Sequence, residues 1–334
     1  MDYENIIKDL ENKIYKPLYL FYGEESYFID ELTNYIAHNV LTESEKAFNQ
    51  TIVYGKDVKA AEIIEMAMRY PMMSNLQVII VKEAQGIKNF KDFEPYVANP
   101  AKSTILVFNF KYTRSIDKRL KVNTLIGKNG LIFESKKLYE NQVHSWISSS
   151  LKKDNLTIHP EAIRLLYESV GSDLSLLTNE LKKLIISLKP GISQIQKDDV
   201  ANNIGINRNF NIFELQKALG AKDKLTVYKI FDYFGRDPKT NPLIVTIARL
   251  FDYFSKIILF HSLTDKSKGN IAANLGINPY FVDEYRNAAA NYPINKVINI
   301  ISYLKECDLK LKGVGATNPD ESGLSKELVY KILH

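Results

Sequence analysis

Residues 16–31, which read KPLYLFYGEESYFIDE, constrain the fold of this chain more than any other stretch. The apolar and aromatic run Leu18–Tyr22 favours a buried β-strand. Gly23 interrupts that run, and the spacing of Phe28 and Leu32 then predicts a helix. A strand, a glycine turn and a helix N-terminus form the place where nucleotide-binding α/β domains hold phosphate, because free backbone N–H groups point outward there.

The same turn lacks the residues that bind phosphate. The pattern G-x-x-x-x-G-K-[ST] needs a second glycine, a lysine and a hydroxyl, and none of them follows Gly23 at the required spacing. Glu24 and Glu25 stand where the phosphate would bind. Carboxylates at a helix N-terminus stabilise the helix and repel an anionic ligand. The sequence therefore predicts an N-capped helix packed on a sheet rather than a nucleotide site.

Strand and helix patterns alternate along the first 140 residues, which predicts a parallel sheet covered by helices on both faces. A helix is expected over residues 1–16, and the second strand follows Phe48 and Asn49. The predicted strands span residues 18–22, 51–54, 77–81, 104–108 and 130–133. After residue 138 the strand signals fade and helical spacing takes over, with Ile244–Phe260 apolar enough to be buried on most sides.

Three further positions bear on ATP hydrolysis. The strand Val78–Val81 is followed by Lys82 and Glu83 instead of the two carboxylates that hold Mg²⁺ and orient water. The next strand ends in Asn109, and Leu174 stands near the place where an arginine would contact the γ-phosphate. The sequence therefore predicts a chain that does not hydrolyse ATP.

Composition excludes several other classes of protein. The single cysteine, Cys307, excludes an internal disulfide framework, and the five scattered histidines have no neighbour at metal-ligand spacing. Ser172 beside Asp173 is typical of a helix cap, and no catalytic constellation is apparent. No apolar run approaches the roughly 18 residues of a membrane span, and the acidic N-terminus is unlike a signal peptide. We expect a cytoplasmic protein without metal, cofactor or membrane partner.

Two large apolar residues, Met72 and Met73, follow Pro71 between a predicted helix and a predicted strand. Loops at such positions are normally exposed, and exposed methionines adapt their shape to an apolar pocket of another protein. The alternative is that both side chains tuck under the edge of the sheet. The sequence alone leaves the two interpretations equally open.

A basic cluster follows the fourth predicted strand and contains a single acid, Asp117. Its members are Lys111, Arg114, Lys118, Arg119, Lys121 and Lys128. Such a cluster can contact the phosphates of a nucleic acid, but it is more often a solvated surface. The net charge of +5 is a weak argument for nucleic-acid binding.

An ordered set of motifs along the whole chain resembles the delta-subunit family of bacterial DNA polymerase III clamp loaders. The motifs are Pro17–Glu25 with Asp30-Glu31; Asn49 with Tyr54–Asp57; Pro71–Lys82; Asp117–Arg119; Phe133 with Leu138–Glu140; and Gly171–Leu174 with Asn179–Leu181. Each motif alone is moderately specific, and their order and coverage carry the resemblance.

The resemblance implies an α/β plus all-α architecture in three domains. Residues 1–140 would form an AAA+-like parallel-sheet domain without a functional nucleotide site, 141–208 a small helical lid, and 209–334 a helical collar for oligomerisation. It also implies a subunit of the DNA polymerase III holoenzyme without catalysis of its own. Such a subunit would bind the sliding clamp, the beta subunit, and hold one interface of the ring open for loading onto primed DNA. Neighbouring gamma/tau-type and delta-prime-type subunits would be its partners, and ATP would be hydrolysed by other subunits.

Within that family, a pair of large hydrophobic residues before a strand enters the clamp pocket, and the matching positions here are Met72 and Met73, after Pro71. The family more usually has Leu-Phe or Phe-Phe there, so the two methionines bear on affinity more than on role. The basic cluster at Lys111, Arg114, Lys118, Arg119 and Lys121 would lie near primer–template DNA. Two alternatives are a degenerate AAA+ ATPase and a stand-alone DNA-binding module.

Overall fold

The apolar runs of the first 138 residues form a five-stranded parallel sheet in the computed structural model, in the spatial order β2-β3-β4-β1-β5. The strands are β1 (Leu18–Gly23), β2 (Gln50–Tyr54), β3 (Gln77–Lys82), β4 (Thr104–Lys111) and β5 (Leu131–Ser135). Strand β1 is buried along its whole length between β4 and β5, which explains its unbroken apolar run. The predicted parallel sheet is confirmed.

The structure describes residues 2–117, 119–204, 210–314 and 320–334, which fall into two compact units, Met1–Leu138 and Tyr139–His334. The helices of the first unit are α1 (Tyr3–Glu11), α2 (Ser26–Asn39), α3 (Glu43–Asn49), α4 (Ala60–Ala67), α5 (Glu94–Ala98) and α6 (Lys121–Asn129), with 3₁₀ turns at Ala84–Gly86 and Phe90–Phe93.

Two helices of this unit differ from the prediction. The helix expected over residues 1–16 ends at Glu11, because Lys13 takes a left-handed conformation and the N–H of Ile14 bonds to the carbonyl of Asp9. Helix α3 was not predicted, and its last residues are Phe48 and Asn49. Its start carries a capping signal, since the N–H of Thr42 donates to the Glu45 carboxylate at 2.8 Å.

Over its described residues, the second unit is helical apart from one parallel ladder of two short strands, β6 (Thr157–Ile158) and β7 (Gln194–Ile195), which the sequence did not suggest. Its helices are α7 (Glu140–Lys152), α8 (Pro160–Val170), α9 (Leu174–Ser187), α10 (Lys197–Ile204), α11 (Ile212–Gly220), α12 (Lys224–Arg236), α13 (Leu243–Ser262), α14 (Lys268–Leu275), α15 (Val282–Asn291), α16 (Ile294–Leu311) and α17 (Glu321–Leu333), with a 3₁₀ turn at Pro279–Phe281. The predicted α/β plus all-α architecture is confirmed, and the division of this unit at residue 208 stays a prediction.

Helix α13 is buried on most sides and exposed along one face. Leu250, Phe254 and Ile257 lie in the core of the second unit. Phe251 and Leu259, however, belong to an exposed apolar face of the same helix. Most of the segment is buried or half-buried, as expected, while one face of the helix is exposed.

A buried histidine makes the stability of the second unit depend on pH. His144 on α7 packs edge-to-face on Tyr167, with ring centroids 5.0 Å apart, and its Nε2 has no hydrogen-bond partner within the described ranges. Burial, followed by the nearby charges of Lys256 and Arg164, lowers the pKa of His144 from 6.5 to about 4. The neutral ring is therefore the form that the fold accommodates.

Because the unfolded chain binds the proton of His144 more readily, stability is fully present above pH 6.5 and is lost as pH falls toward 4. We expect wild type to lose roughly 2 kcal/mol between pH 7 and pH 4.5 through this residue. His144→Phe keeps the ring contact with Tyr167 and should lose less over the same interval. Urea unfolding of both proteins at the two pH values measures the difference, and equal losses would contradict this assignment.

Candidate functional site

The loop between α4 and β3 carries an exposed apolar surface. Met72 is 61% and Met73 98% exposed, and Tyr70, just ahead of them, is also almost fully exposed. Phe48, at the end of α3, is exposed as well. Of the two interpretations that the sequence left open, the structure therefore has the methionines on the surface and not under the sheet edge. Neighbouring exposed apolar side chains of this size are typical of protein-binding sites.

The main chain of this loop is fixed by a buried side chain. Asn49 is only 4% exposed, and its Oδ1 accepts a hydrogen bond from the N–H of Met72 at 2.7 Å. Its Nδ2 donates to the carbonyl of Met72 at 2.8 Å and to the carbonyl of Glu45 at 3.1 Å. The side-chain amide thus pairs with Met72 in both directions, as a neighbouring strand would.

A second buried amide closes the beginning of the loop. Gln77 Nε2, at the start of β3, donates to the carbonyl of Arg69 at 2.6 Å and to Thr104 Oγ1 at 2.8 Å. Thr104 Oγ1 in turn donates to the carbonyl of Ala67 at 2.7 Å. These bonds satisfy the carbonyl of Ala67, the last residue of α4, and that of Arg69 just beyond the helix. The loop therefore leaves α4 from a fixed position.

Met73 itself has a left-handed backbone, with φ of +53°. This conformation costs a residue other than glycine roughly 1 kcal/mol, and it persists only where the surroundings hold it. Here it turns the chain so that the Met73 side chain projects into solvent. The main chain of the loop is therefore held in place by hydrogen bonds, and two flexible apolar side chains project from it.

The glycine turn after β1 is filled by the protein itself. A side chain on Gly23 would place its Cβ 1.9 Å from the carbonyl oxygen of Ser135, at the end of β5. The Glu25 N–H donates to that same carbonyl at 3.2 Å, and Ser135 Oγ donates to the Glu25 carbonyl at 2.6 Å. The Glu25 carboxylate accepts from the N–H of Tyr27 at 3.0 Å. A free N–H group at the start of α2 is therefore taken by the protein's own carboxylate, as the two glutamates predict.

The other residues along this edge of the sheet also have internal partners. Strand β4 runs on to Lys111, past the end expected at Asn109, which is fully buried within the strand and donates through Nδ2 to Thr33 Oγ1 at 2.9 Å. Lys111 pairs with Asp30 on α2 at 2.6 Å. Asn109 is thus engaged in the packing of α2 on the sheet, where it is not available to orient a water molecule.

Four members of the basic cluster, Lys111, Arg114, Arg119 and Lys121, pair with carboxylates in the part of the chain that the structure describes. Their ion pairs are Lys111–Asp30 at 2.6 Å, Arg114–Glu24 at 2.8 Å, Arg119–Asp117 at 3.1 Å and Lys121–Glu94 at 3.7 Å. Lys118 lies outside the described residues. These pairs reduce the positive potential of the surface. The pairs made by Arg114, Arg119 and Lys121 are solvent-exposed and therefore weak. Contact with DNA stays a prediction.

No metal centre is apparent in the described ranges, where no three His, Cys, Asp or Glu side chains lie together. Asp173, next to Ser172, forms the predicted helix cap: its carboxylate accepts from the N–H groups of Ser175 and Leu176 at 2.9 and 3.0 Å. None of the helices described is long and apolar enough to cross a bilayer.

The two amides that hold the loop, Asn49 and Gln77, were not singled out for that role by the sequence. The bond from Asn49 to Met72 joins residues 23 positions apart. The available signal was weak: each is a polar residue at the start of, or just before, an apolar strand, where an unpaired amide would be costly to bury.

Three family models match the chain in order. "DNA polymerase III, delta subunit" matches residues 19–136, a "middle domain" matches 139–202, and "DNA polymerase III delta subunit, C-terminal domain" matches 209–320. The chain is 24% identical to DNA polymerase III subunit delta of Bacillus subtilis over 321 residues, covering 92% of this chain and 91% of that protein. Its fold is similar to the solved structure of the Bacillus subtilis DNA clamp loader delta protein YqeN, with a TM-score of 0.54, 23% identity and 99% of each chain covered.

Proposed function

Since the chain belongs to the delta-subunit family of DNA polymerase III, we propose that it binds the sliding clamp and holds one interface of that ring open for loading onto primed DNA. The observation that carries this proposal is the loop at Pro71, Met72 and Met73, where two exposed thioether side chains project from a main chain held by buried amides. Methionine fills irregular apolar pockets readily, and a few apolar anchors usually dominate such an interface.

The first unit would act as a rigid support for this loop and would not be a motor. The glycine turn after β1 is closed by Ser135 and Glu25, and Asn109 is bound to Thr33. These contacts support a division of labour in which other clamp-loader subunits, of the gamma/tau and delta-prime types, bind and hydrolyse ATP. Primer–template DNA would contact this chain only within the assembled clamp-loader complex.

We expect the purified chain to show no ATP turnover above the buffer rate and no saturable binding of a fluorescent ATP analogue with Mg²⁺. The reason is that an anionic phosphate at α2 would have to displace the Glu25 carboxylate and approach Glu24. Steady-state phosphate release and fluorescence anisotropy measure the two quantities. Turnover that scales with protein concentration through purification would instead favour a degenerate AAA+ ATPase.

The proposed collar, residues 209–334, has a surface suited to other subunits. Exposed apolar side chains on α13 and α16 are Ile244, Val245, Phe251, Leu259, Ile294 and Ile298. A monomeric surface rarely leaves so many large apolar residues uncovered on neighbouring helices. This supports the proposed role of residues 209–334 in assembly, with 141–208 as the lid.

The direct test is a titration of the full chain against the sliding clamp of the same organism, followed by surface plasmon resonance. Saturable binding that does not require nucleotide is expected. The proposal fails if the chain shows no binding at micromolar clamp concentrations.

A further inference from the structure

We propose that Asn49 is the positioning residue of the clamp-binding loop, holding Met72 and Met73 in their binding geometry before the clamp is met. This inference rests on the proposed function for its biological meaning. Its structural content, that one buried amide sets the conformation of the loop, can be tested on the free chain.

The hydrogen-bond pattern fixes the orientation of the Asn49 amide. The N–H of Met72 can only donate and its carbonyl can only accept, so Oδ1 faces the former and Nδ2 the latter. An amide offers a donor and an acceptor side by side in one plane, which is what a peptide group requires of its partner. Alanine at this position would leave both groups of Met72 without that partner.

Helix α3 contacts the loop on both sides of Met73. Asn49 binds Met72, and one turn earlier the Glu45 carboxylate lies beside the Ser74 side chain. Residues four apart lie on one face of a helix, so the contacts on either side of the left-handed Met73 come from the same face of α3. Glu45 is itself fixed by the N–H of Thr42 at the start of the helix. Both contacts to the loop therefore depend on the position of helix α3.

The consequence is preorganisation. A loop that is in its binding conformation only for a fraction of the time binds with an affinity reduced by that fraction. If exchange between loop conformations is fast, the association rate falls by the same factor while the dissociation rate is unchanged. A residue that contacts the clamp directly would mainly change the dissociation rate.

The test combines amide hydrogen exchange of the free chain with association and dissociation rates on immobilised clamp. For Asn49→Ala we expect exchange in residues 70–76 to accelerate about tenfold, and the association rate to fall about tenfold with little change in dissociation. Asn49→Asp, which loses the donor and sets a carboxylate against the Met72 carbonyl, should behave at least as severely. Asn39→Ala, an exposed asparagine on α2 that caps only a Tyr35 carbonyl, is the matched control.

Ser74→Ala keeps the experiment informative if the Asn49 variants fold poorly. At a partly exposed residue it removes the contact with Glu45 and the hydrogen bond that Ser74 Oγ accepts from the N–H of Leu76 at 3.3 Å, and it leaves Asn49 in place. About threefold faster loop exchange is expected for it. Unchanged loop exchange in Asn49→Ala, Asn49→Asp and Ser74→Ala would overturn the inference. Weaker clamp binding of the Asn49 variants with unchanged loop exchange would also overturn it, because Asn49 would then contact the clamp directly. If the wild-type chain binds no clamp, the proposed function fails, while the exchange measurement still decides the role of Asn49.

Discussion

Met72→Ala/Met73→Ala is expected to weaken binding of the chain to the sliding clamp by at least a hundredfold. Burying one large apolar side chain contributes about 1.5–3 kcal/mol, so losing two removes roughly 3 kcal/mol or more. Both side chains are mostly exposed in the free chain, and truncating them removes little internal packing. The double variant should therefore keep wild-type stability, as measured by urea unfolding alongside the surface plasmon resonance titration.

Two further variants sharpen this prediction. Ile186→Ala truncates another highly exposed apolar side chain, on α9 in the second unit, and should leave clamp binding unchanged. Met72→Leu/Met73→Phe restores the pair that is more usual in the family, and the stiffer aromatic anchor should bind at least as tightly as wild type. Equal clamp affinity in wild type and the double alanine variant would remove the site assignment.

Arg164→Ala is expected to cost the second unit about 3–5 kcal/mol of stability, because it breaks a largely buried charge cluster. The Arg164 guanidinium carbon lies 4.3 Å from the ring centroid of Phe213 and 4.8 Å from that of Phe281. Nη2 donates to Gln216 Oε1 at 2.7 Å, and Nη1 lies 3.3 Å from Glu284 Oε2. Removing the side chain leaves an unpaired carboxylate and a cavity between two aromatic rings.

The matched control is Arg236→Ala, which breaks an exposed ion pair with Asp232 of 2.6 Å within one helix and should cost about 0.5 kcal/mol or less. Urea unfolding followed by far-ultraviolet circular dichroism measures both variants. Because Arg164 lies on α8 and its partners on α11, α15 and the turn at Phe281, we also expect the proposed lid and collar to unfold together. A cost for Arg164→Ala no larger than that of Arg236→Ala would contradict the role given to this cluster.

Much of the fold could be predicted from the sequence because its signals are local. The five strands coincide with short apolar runs, and the resemblance to the delta-subunit family drawn from ordered motifs is confirmed. The errors arose where short-range hydrogen bonds override periodicity. Lys13 ends α1 early through its left-handed conformation, and the Thr42–Glu45 cap starts α3, a helix that the sequence pattern did not indicate.

The candidate site could be predicted only in part. The loop at Met72 and Met73 was found from the residues themselves, but whether it faces solvent depends on the surrounding fold. Two ion pairs of the basic cluster, Arg114–Glu24 and Lys111–Asp30, join residues 90 and 81 positions apart, and no local pattern indicates them. No local pattern indicates the hydrogen bonds of Asn49 either, because its partner Met72 lies 23 positions further along the chain, in the loop before the neighbouring strand β3.

The central claim, that this chain opens the clamp through Met72 and Met73, is tested most directly by clamp release from circular DNA. Labelled clamp is loaded onto nicked circular DNA, and the full chain is added without ATP. We predict that release accelerates with chain concentration, and that Met72→Ala/Met73→Ala at the same concentrations leaves the clamp on the circle. Release that is no faster than without added protein, or equal release by the wild type and the double variant, would contradict the account.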